Sequence, residues 1–312
     1  EGSEGTKTVM GVFRVLSSSS LGYFLYSLED KSVSIHPFRG KVLYAGEKII
    51  IGDYVTLDEK GRINSVLERK NRLKRPRFSN VDEVFVLCSL KEPEFSSYLL
   101  DKFLSRINFS SLTASIVLTK SDLLKKSERN KRKKRMSYYE KIGYKVYFID
   151  AHHATDFDFP KLNEELKHKT VAFVGQTGVG KSSLLNSIDP SFKRRVDSLY
   201  VRSGRGRHTT KEIILLPFED GFIFDTPGFS SFDLLERNSL DLSLCFPGFR
   251  PYFGTCFFKD CLHLEKTKGC SVLEAVKNDE LSMDSYQNYC KILTEVKENE
   301  KWKKKPLSVP RF

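Results

Sequence analysis

Little in this chain of 312 residues is compatible with a membrane, secreted or fibrous protein. No apolar run approaches the roughly 18–20 residues that a helical membrane span requires. The longest, such as Val84–Cys88, have the length of buried strands. The N-terminus has no apolar stretch behind basic residues, the pattern of a signal peptide. Six cysteines are too sparse for a secreted disulfide scaffold, and no internal repeat occurs. What remains is a soluble intracellular protein, 39% apolar and long enough for two or three packed cores. Its 52 lysines and arginines exceed its 40 acids, and the resulting charge of +12 points to a polyanionic partner.

The first 70 residues carry strand-like runs at 8–15, 22–27, 33–35, 48–57 and 62–67, separated by turn residues. Five short strands in so little chain suit a small closed barrel, of which the OB-fold is one form and another small β-barrel or sheet the alternative. Arg69–Arg77 places six cations in nine positions; it reads either as part of a nucleic-acid surface or as a solvated linker. From Val81 strand and helix alternate. Strands are expected at 84–88, 115–119, 145–149, 170–174, 213–216 and 222–224, and helices at 96–107, 127–142, 161–166 and 181–188. That alternation predicts a mainly parallel, doubly wound sheet. Beyond Leu234 come a cysteine cluster and then a helical, Lys- and Glu-rich tail over 271–305.

The strongest local signal is Gly175-Gln176-Thr177-Gly178-Val179-Gly180-Lys181-Ser182, followed by Ser183, a full match to G-x-x-x-x-G-K-[ST] between a strand and a helix. The glycines permit close backbone approach, and the loop N–H groups with the helix N-terminus then surround phosphates. Lys181 is placed to reach the β- and γ-phosphates and Ser182 to ligate Mg²⁺. Thr119-Lys120-Ser121-Asp122 ends a strand and resembles [NT]-K-x-D. The Asp122 carboxylate can accept from guanine N1–H and N2–H₂, donors that adenine lacks, while the Lys120 stem lies over the base. A helix N-cap at Asp122 is the structural alternative. Thr119 in place of Asn removes an amide able to brace the phosphate loop. Asp225-Thr-Pro-Gly228 resembles the D-x-x-G switch, with Asp225 near Mg²⁺ and the Gly228 N–H near the γ-phosphate; a plain Pro-Gly turn is the alternative. Between the two lies Gly204-x-Gly-x-His-Thr-Thr210, a candidate first switch in which Thr209 or Thr210 closes on Mg²⁺.

The base motif precedes the phosphate loop, the reverse of the ordinary order, so the domain reads as circularly permuted. Permutation moves the termini and keeps the core contacts. Cys256-x4-Cys261-x-His263-x6-Cys270 then offers three thiolates and one imidazole, a closed tetrahedral set for one structural zinc ion. Cys88, Cys245 and Cys290 fit the alternative, buried thiols in a reducing compartment.

Together these motifs resemble the circularly permuted family of ribosome small subunit-dependent GTPase A (RsgA, also YjeQ), over about residues 9 to 289. The resemblance implies an α/β P-loop GTPase domain at 71–234, flanked by an N-terminal OB-fold barrel (1–70) that binds RNA and a C-terminal zinc-binding, α-rich domain (235–312). It implies Mg-dependent hydrolysis of GTP to GDP and phosphate, stimulated by the small ribosomal subunit, late in that subunit's maturation in the cytoplasm. Partners implied are that subunit and its rRNA, with no membrane and a monomeric state. Three departures stand out: the longer His263–Cys270 spacer, Thr119 for Asn, and Asp150-Ala151 where Ser-Ala is usual. Phe229 follows Gly228 where Ras-like enzymes carry a water-orienting Gln, so unassisted hydrolysis is expected to be slow. His208 is the best polar candidate for that role, with contact to RNA phosphate as its alternative. A P-loop ATPase and a nucleotide-locked RNA scaffold are the competing functions. Basic segments at 69–77, 125–135 and 301–305 are expected to face one RNA surface.

Overall fold

The computed structural model describes residues 10–37, 43–44, 47–74, 77–150, 158–196, 213–226 and 238–304. Its strands are β1 (Met10–Ser19), β2 (Gly22–Ser27), β3 (Val33–His36), β4 (Leu43–Tyr44), β5 (Glu47–Lys48), β6 (Tyr54–Leu57), β7 (Ile63–Val66), β8 (Arg72–Lys74), β9 (Arg77–Ser79), β10 (Glu83–Ser89), β11 (Thr113–Thr119), β12 (Lys145–Phe148), β13 (Thr170–Gly175), β14 (Ile214–Phe218) and β15 (Gly221–Asp225). The helices used below are α1 (Ser97–Phe109), α2 (Lys126–Lys141), α3 (Phe159–Leu166), α4 (Lys181–Ile188), α5 (Ser239–Cys245), α6 (Ser271–Lys277) and α7 (Met283–Lys304). A five-stranded sheet has the order β3-β2-β1-β6-β7, and a six-stranded sheet the order β12-β11-β10-β13-β15-β14. The β11–β12 and β13–β15 pairs are parallel, whereas β14 runs antiparallel to β15. All residues of β10 and β13 are buried, as strands covered on both faces must be.

Chain contacts define two compact units: residues 1–85, 150–174 and 180–229, and residues 86–149, 175–179 and 230–312. In the first, the antiparallel sheet closes over Val15, Leu25, Val55 and Leu57. Two expectations need correction here. The strand expected over 48–57 is short, because the chain turns at 50–53: Gly52 takes φ +90° and the buried Asp53 carboxylate accepts from Ile50 N at 2.9 Å. The basic stretch 69–77, read alternatively as a solvated linker, is partly built into the fold, although Lys70, Arg72 and Arg77 are exposed. Arg69 pairs with Asp53 at 2.8 Å with both side chains buried, and Leu73 and Phe78 bury in the β8–β9 hairpin. Phe78 stacks on Phe224 at 4.7 Å, Tyr26 meets Phe222 edge-on at 5.4 Å, and the Arg14 guanidinium lies 4.1 Å over Tyr54. A Cβ at Gly52 would come within 2.4 Å of Ser79 O and 2.7 Å of the Phe224 ring, so only glycine fits there.

In the second unit, Ser96 caps α1 by accepting from Leu99 N at 3.3 Å. Leu100, Phe103, Leu104 and Ile107 recur at helical spacing and bury. α7 contributes Tyr286, Tyr289, Leu293 and Val296 to a core with Phe246 and Phe249 of the segment after α5. Asp101 of α1 joins these helices, accepting from Tyr139 Oη at 2.8 Å, Asn288 Nδ2 at 2.7 Å and Ser285 Oγ at 3.3 Å. α2 is mostly polar; it buries Met136 and Tyr139, and the half-buried Tyr138 packs against the same core.

Candidate nucleotide-binding segments and candidate metal centre

The phosphate loop is built as its glycines require. β13 ends at Gly175 and α4 opens at Lys181. Gly178 and Gly180 take φ of +83° and +90°, left-handed values that other side chains strain to reach. A Cβ at Gly175 would lie 2.5 Å from Leu87 O. Gly180 caps α4 without a side-chain hydrogen bond, so the first N–H groups of that helix point at whatever lies in the loop. Gln176 is half-buried, Thr177 exposed and Val179 buried.

In the second unit, Thr119 donates its hydroxyl to Val179 O at 2.5 Å. The hydroxyl therefore supplies a brace between base motif and phosphate loop, which the sequence comparison of Thr with Asn did not foresee. Lys120 adopts φ +59° and donates to Glu92 O. Arg129 of α2 donates to Ser121 O at 3.0 Å, a support with no signal in the sequence. Asp122 lies in the single turn Ser121–Leu123 and is exposed; it caps no α-helix, since Lys125 holds that place for α2.

In the first unit, Lys181 of α4 forms an ion pair with Asp225 at the end of β15. Ser182 and Ser183 are exposed in the first turn of α4. Thr226, which has no role of its own in the sequence reading of the D-x-x-G motif, donates to Phe173 O at 2.6 Å and ties the start of that motif to β13. His208, Thr209, Thr210 and Gly228 lie outside the described residues, as do Ala151 and Phe229.

Cys256, Cys261, His263 and Cys270 bring their ligand atoms within 4.8 Å of one another. Cys256 Sγ lies 4.0 Å from Cys270 Sγ and 3.6 Å from His263 Nδ1, and Nδ1 lies 3.4 Å from Cys270 Sγ. Zinc bonds of about 2.3 Å to sulfur and 2.0 Å to nitrogen give tetrahedral edges of about 3.8 and 3.5 Å. The four residues fit such an ion. Burial lowers the His263 pKa to about 4, which keeps a lone pair on the imidazole, and raises the Cys270 thiol to about 12 and Cys261 in the same direction. Thiols so buried ionise only beside a compensating cation. Tyr286 and Tyr289 hold the ligand segment by donating to His263 O and Leu262 O, each at 2.8 Å. Burial also pushes the Cys88 thiol up to about 12, and this residue sits in a buried strand away from any ligand cluster.

The sequence model of the RsgA GTPase family matches residues 66–235, more than half of the chain. The small ribosomal subunit biogenesis GTPase RsgA of Shouchella clausii is 37% identical over 256 residues, covering 81% of this chain and 86% of that protein. The protein of the same name from Bacillus subtilis is 34% identical over 295 residues, covering 91% and 97%. Among solved structures, YloQ, described as a circularly permuted GTPase, superposes with a TM-score of 0.76 at 29% identity and full coverage of both chains. YjeQ from Thermotoga maritima gives a TM-score of 0.76 at 33% identity, covering 92% of this chain and 98% of that one.

Proposed function

The chain belongs to the RsgA GTPase family, and from that premise we propose that it hydrolyses GTP to GDP and phosphate in the maturation of the small ribosomal subunit. The observation that carries this reading is the Thr119–Val179 hydrogen bond of 2.5 Å, which joins the base motif to the phosphate loop although the chain visits them in permuted order. We assign guanine to Asp122, with Lys120 along the base and Thr119 and Ser121 holding the turn. The phosphates are assigned to the N–H groups of 175–183 and to Lys181. Ser182, Asp225 and one of Thr209 and Thr210 would hold Mg²⁺, which favours such oxygen donors and neutralises charge on the phosphates. The Gly228 N–H is assigned to the γ-phosphate and His208 to the attacking water.

Lys181 and Asp225 pair with one another, so engaging a phosphate and a cation exchanges one ion pair for two. That exchange acts on Asp225 at the end of β15, ahead of the D-x-x-G glycine and the C-terminal part of the chain. We assign residues 1–70 to an RNA-binding OB-type barrel, 71–234 to the permuted GTPase domain and 235–312 to a module held by one structural zinc. The partners are the small subunit and its rRNA, the place of action is the cytoplasm, and the working unit is a monomer. Among the described residues no helix is long and apolar enough to cross a membrane.

The decisive experiment is phosphate release over many turnovers with purified small subunits, large subunits and free rRNA in separate reactions. Stimulation by small subunits alone is expected, whereas release of one phosphate per chain would establish a nucleotide-locked scaffold. Asp122→Asn should shift preference from GTP to xanthosine triphosphate, because the amide can donate to the additional carbonyl of xanthine. An ATPase would show no such shift.

A further inference from the structure

Three phenylalanines stand out of the Cys-rich module instead of packing into it. Phe257 is 80% exposed, Phe253 67% and Phe258 48%, in a unit whose other large aromatics are mostly buried. Phe257 and Phe258 directly follow the candidate ligand Cys256 and meet edge-on at 5.0 Å. Their position is fixed from behind. The Phe257 N–H donates to Gly269 O at 2.8 Å, and a Cβ at Gly269 would come within 2.8 Å of Phe257 Cβ. The exposed rings thus stand between the ligands Cys256 and Cys261, with the backbone of Phe257 tied to that of Gly269. In the same Cys-rich segment Lys259, Lys266 and Lys268 are exposed, against the two acids Asp260 and Glu265. An exposed pair of flat rings in a loop with three exposed lysines matches the requirements for unpaired bases, which stack on aromatic faces while lysines meet the flanking phosphates. A protein partner docking through apolar contact would be better served by a contiguous aliphatic groove than by two exposed rings among charged residues.

We propose that Phe257 and Phe258, with Lys259 and Lys268, form a stacking platform for unpaired bases of an RNA strand. The inference rests on the reading that the partner is the RNA of the small subunit, and it specifies single-stranded RNA as what this tip takes. Specificity here is for exposed base faces over duplex, with little sequence preference.

The test uses the full-length, zinc-containing protein and fluorescence anisotropy with an unstructured RNA of about a dozen nucleotides and a duplex of the same sequence. Wild type should favour the single strand. The Phe257→Leu/Phe258→Leu variant keeps apolar bulk but cannot stack, and should bind the single strand about ten-fold or more weakly with duplex binding unchanged. The Phe257→Tyr/Phe258→Tyr variant should restore wild-type affinity. Wild-type affinity in the leucine variant would overturn the proposal and point to a generic apolar contact with protein. Loss of a self-association equilibrium in sedimentation would overturn it in favour of a second copy as the occupant. Zinc content and melting temperature report folding; if the double variant is unstable, Phe257→Leu alone carries the test. Subunit-stimulated GTP turnover of the wild type is read separately. Turnover with no stacking effect would defeat this proposal alone, and absence of turnover would defeat the underlying reading.

Discussion

Thr119 shows how one hydroxyl can do the work of a longer side chain. Its bond satisfies Val179 O, a buried carbonyl of the phosphate loop, and a Thr119→Val substitution would leave that acceptor unpaired at a cost of about 1–3 kcal/mol. The expected result is GDP affinity lowered by about ten-fold or more in calorimetry, with zinc content unchanged. Asp101 makes a second residue-scale prediction. Burial raises its pKa to about 7, while hydrogen bonds from Asn288, Tyr139 and Ser285 pull the other way. A raised carboxyl pKa means that the fold favours the protonated form. Its contribution is complete below the unfolded value near 4 and is lost as pH rises through about 7. Unfolding free energy of the wild type should therefore fall across that window relative to Asp101→Asn, by about 1 kcal/mol per pH unit. The asparagine can accept from Asn288 and donate to Tyr139, so it should fold; parallel pH profiles would refute the assignment. The sequence displayed the nucleotide motifs because each is local. It hid Thr226, Arg129 and Asp101, whose partners lie 53, 8 and up to 187 positions away.

Among the elements, β15 links the two jobs of the first unit. Phe222 and Phe224 point to one side, against Tyr26 and Phe78, and Asp225 points to the other, toward Lys181. The hairpin β8–β9 is thereby part of the support of the strand that carries Asp225. Truncating the fully buried ring in Phe78→Ala should cost about 3–5 kcal/mol in urea unfolding and loosen that support. Phe78→Leu should recover most of the loss. The hairpin escaped sequence reading because its two apolar residues, Leu73 and Phe78, are masked by six surrounding cations. Strand and helix alternation between residues 83 and 225 was legible throughout, since buried strands are continuous apolar runs. The Cys-rich module is the opposite case, with regular structure only at its borders. Its integrity is expected to depend on metal: Cys256→Ser, or a strong chelator, should release zinc, lower the melting temperature and make the remaining cluster thiols react with a disulfide reagent.

For the molecule as a whole, the net charge of +12 overstates the cations available to a polyanion, because the fold uses several of them internally. Arg69 is buried against Asp53, Lys70 pairs with Asp82 at 2.6 Å, and Arg135 pairs with Asp284 at 2.9 Å. Of the three basic segments expected to face one RNA surface, 69–77 therefore keeps Arg69 for the fold, while Lys70, Arg72 and Arg77 are exposed. On α2, Lys126, Lys131 and Lys134 are exposed and form no ion pair among the described residues. Each phosphate contact releases condensed counterions, so log K falls with log salt in proportion to the number of lysines engaged. If α2 meets RNA, changing Lys126, Lys131 and Lys134 to Gln should reduce the salt slope of small-subunit binding by about two to three, with unfolding stability unaffected. Arg69→Gln should do the reverse, destabilising the protein by about 3–5 kcal/mol because Asp53 would remain buried with its charge uncompensated, and leaving the salt slope of the folded fraction unchanged. Titrating small subunits over a range of KCl concentrations with both variants separates the cations that read the partner from those that hold the fold; equal slopes in all three proteins would remove α2 from the RNA surface.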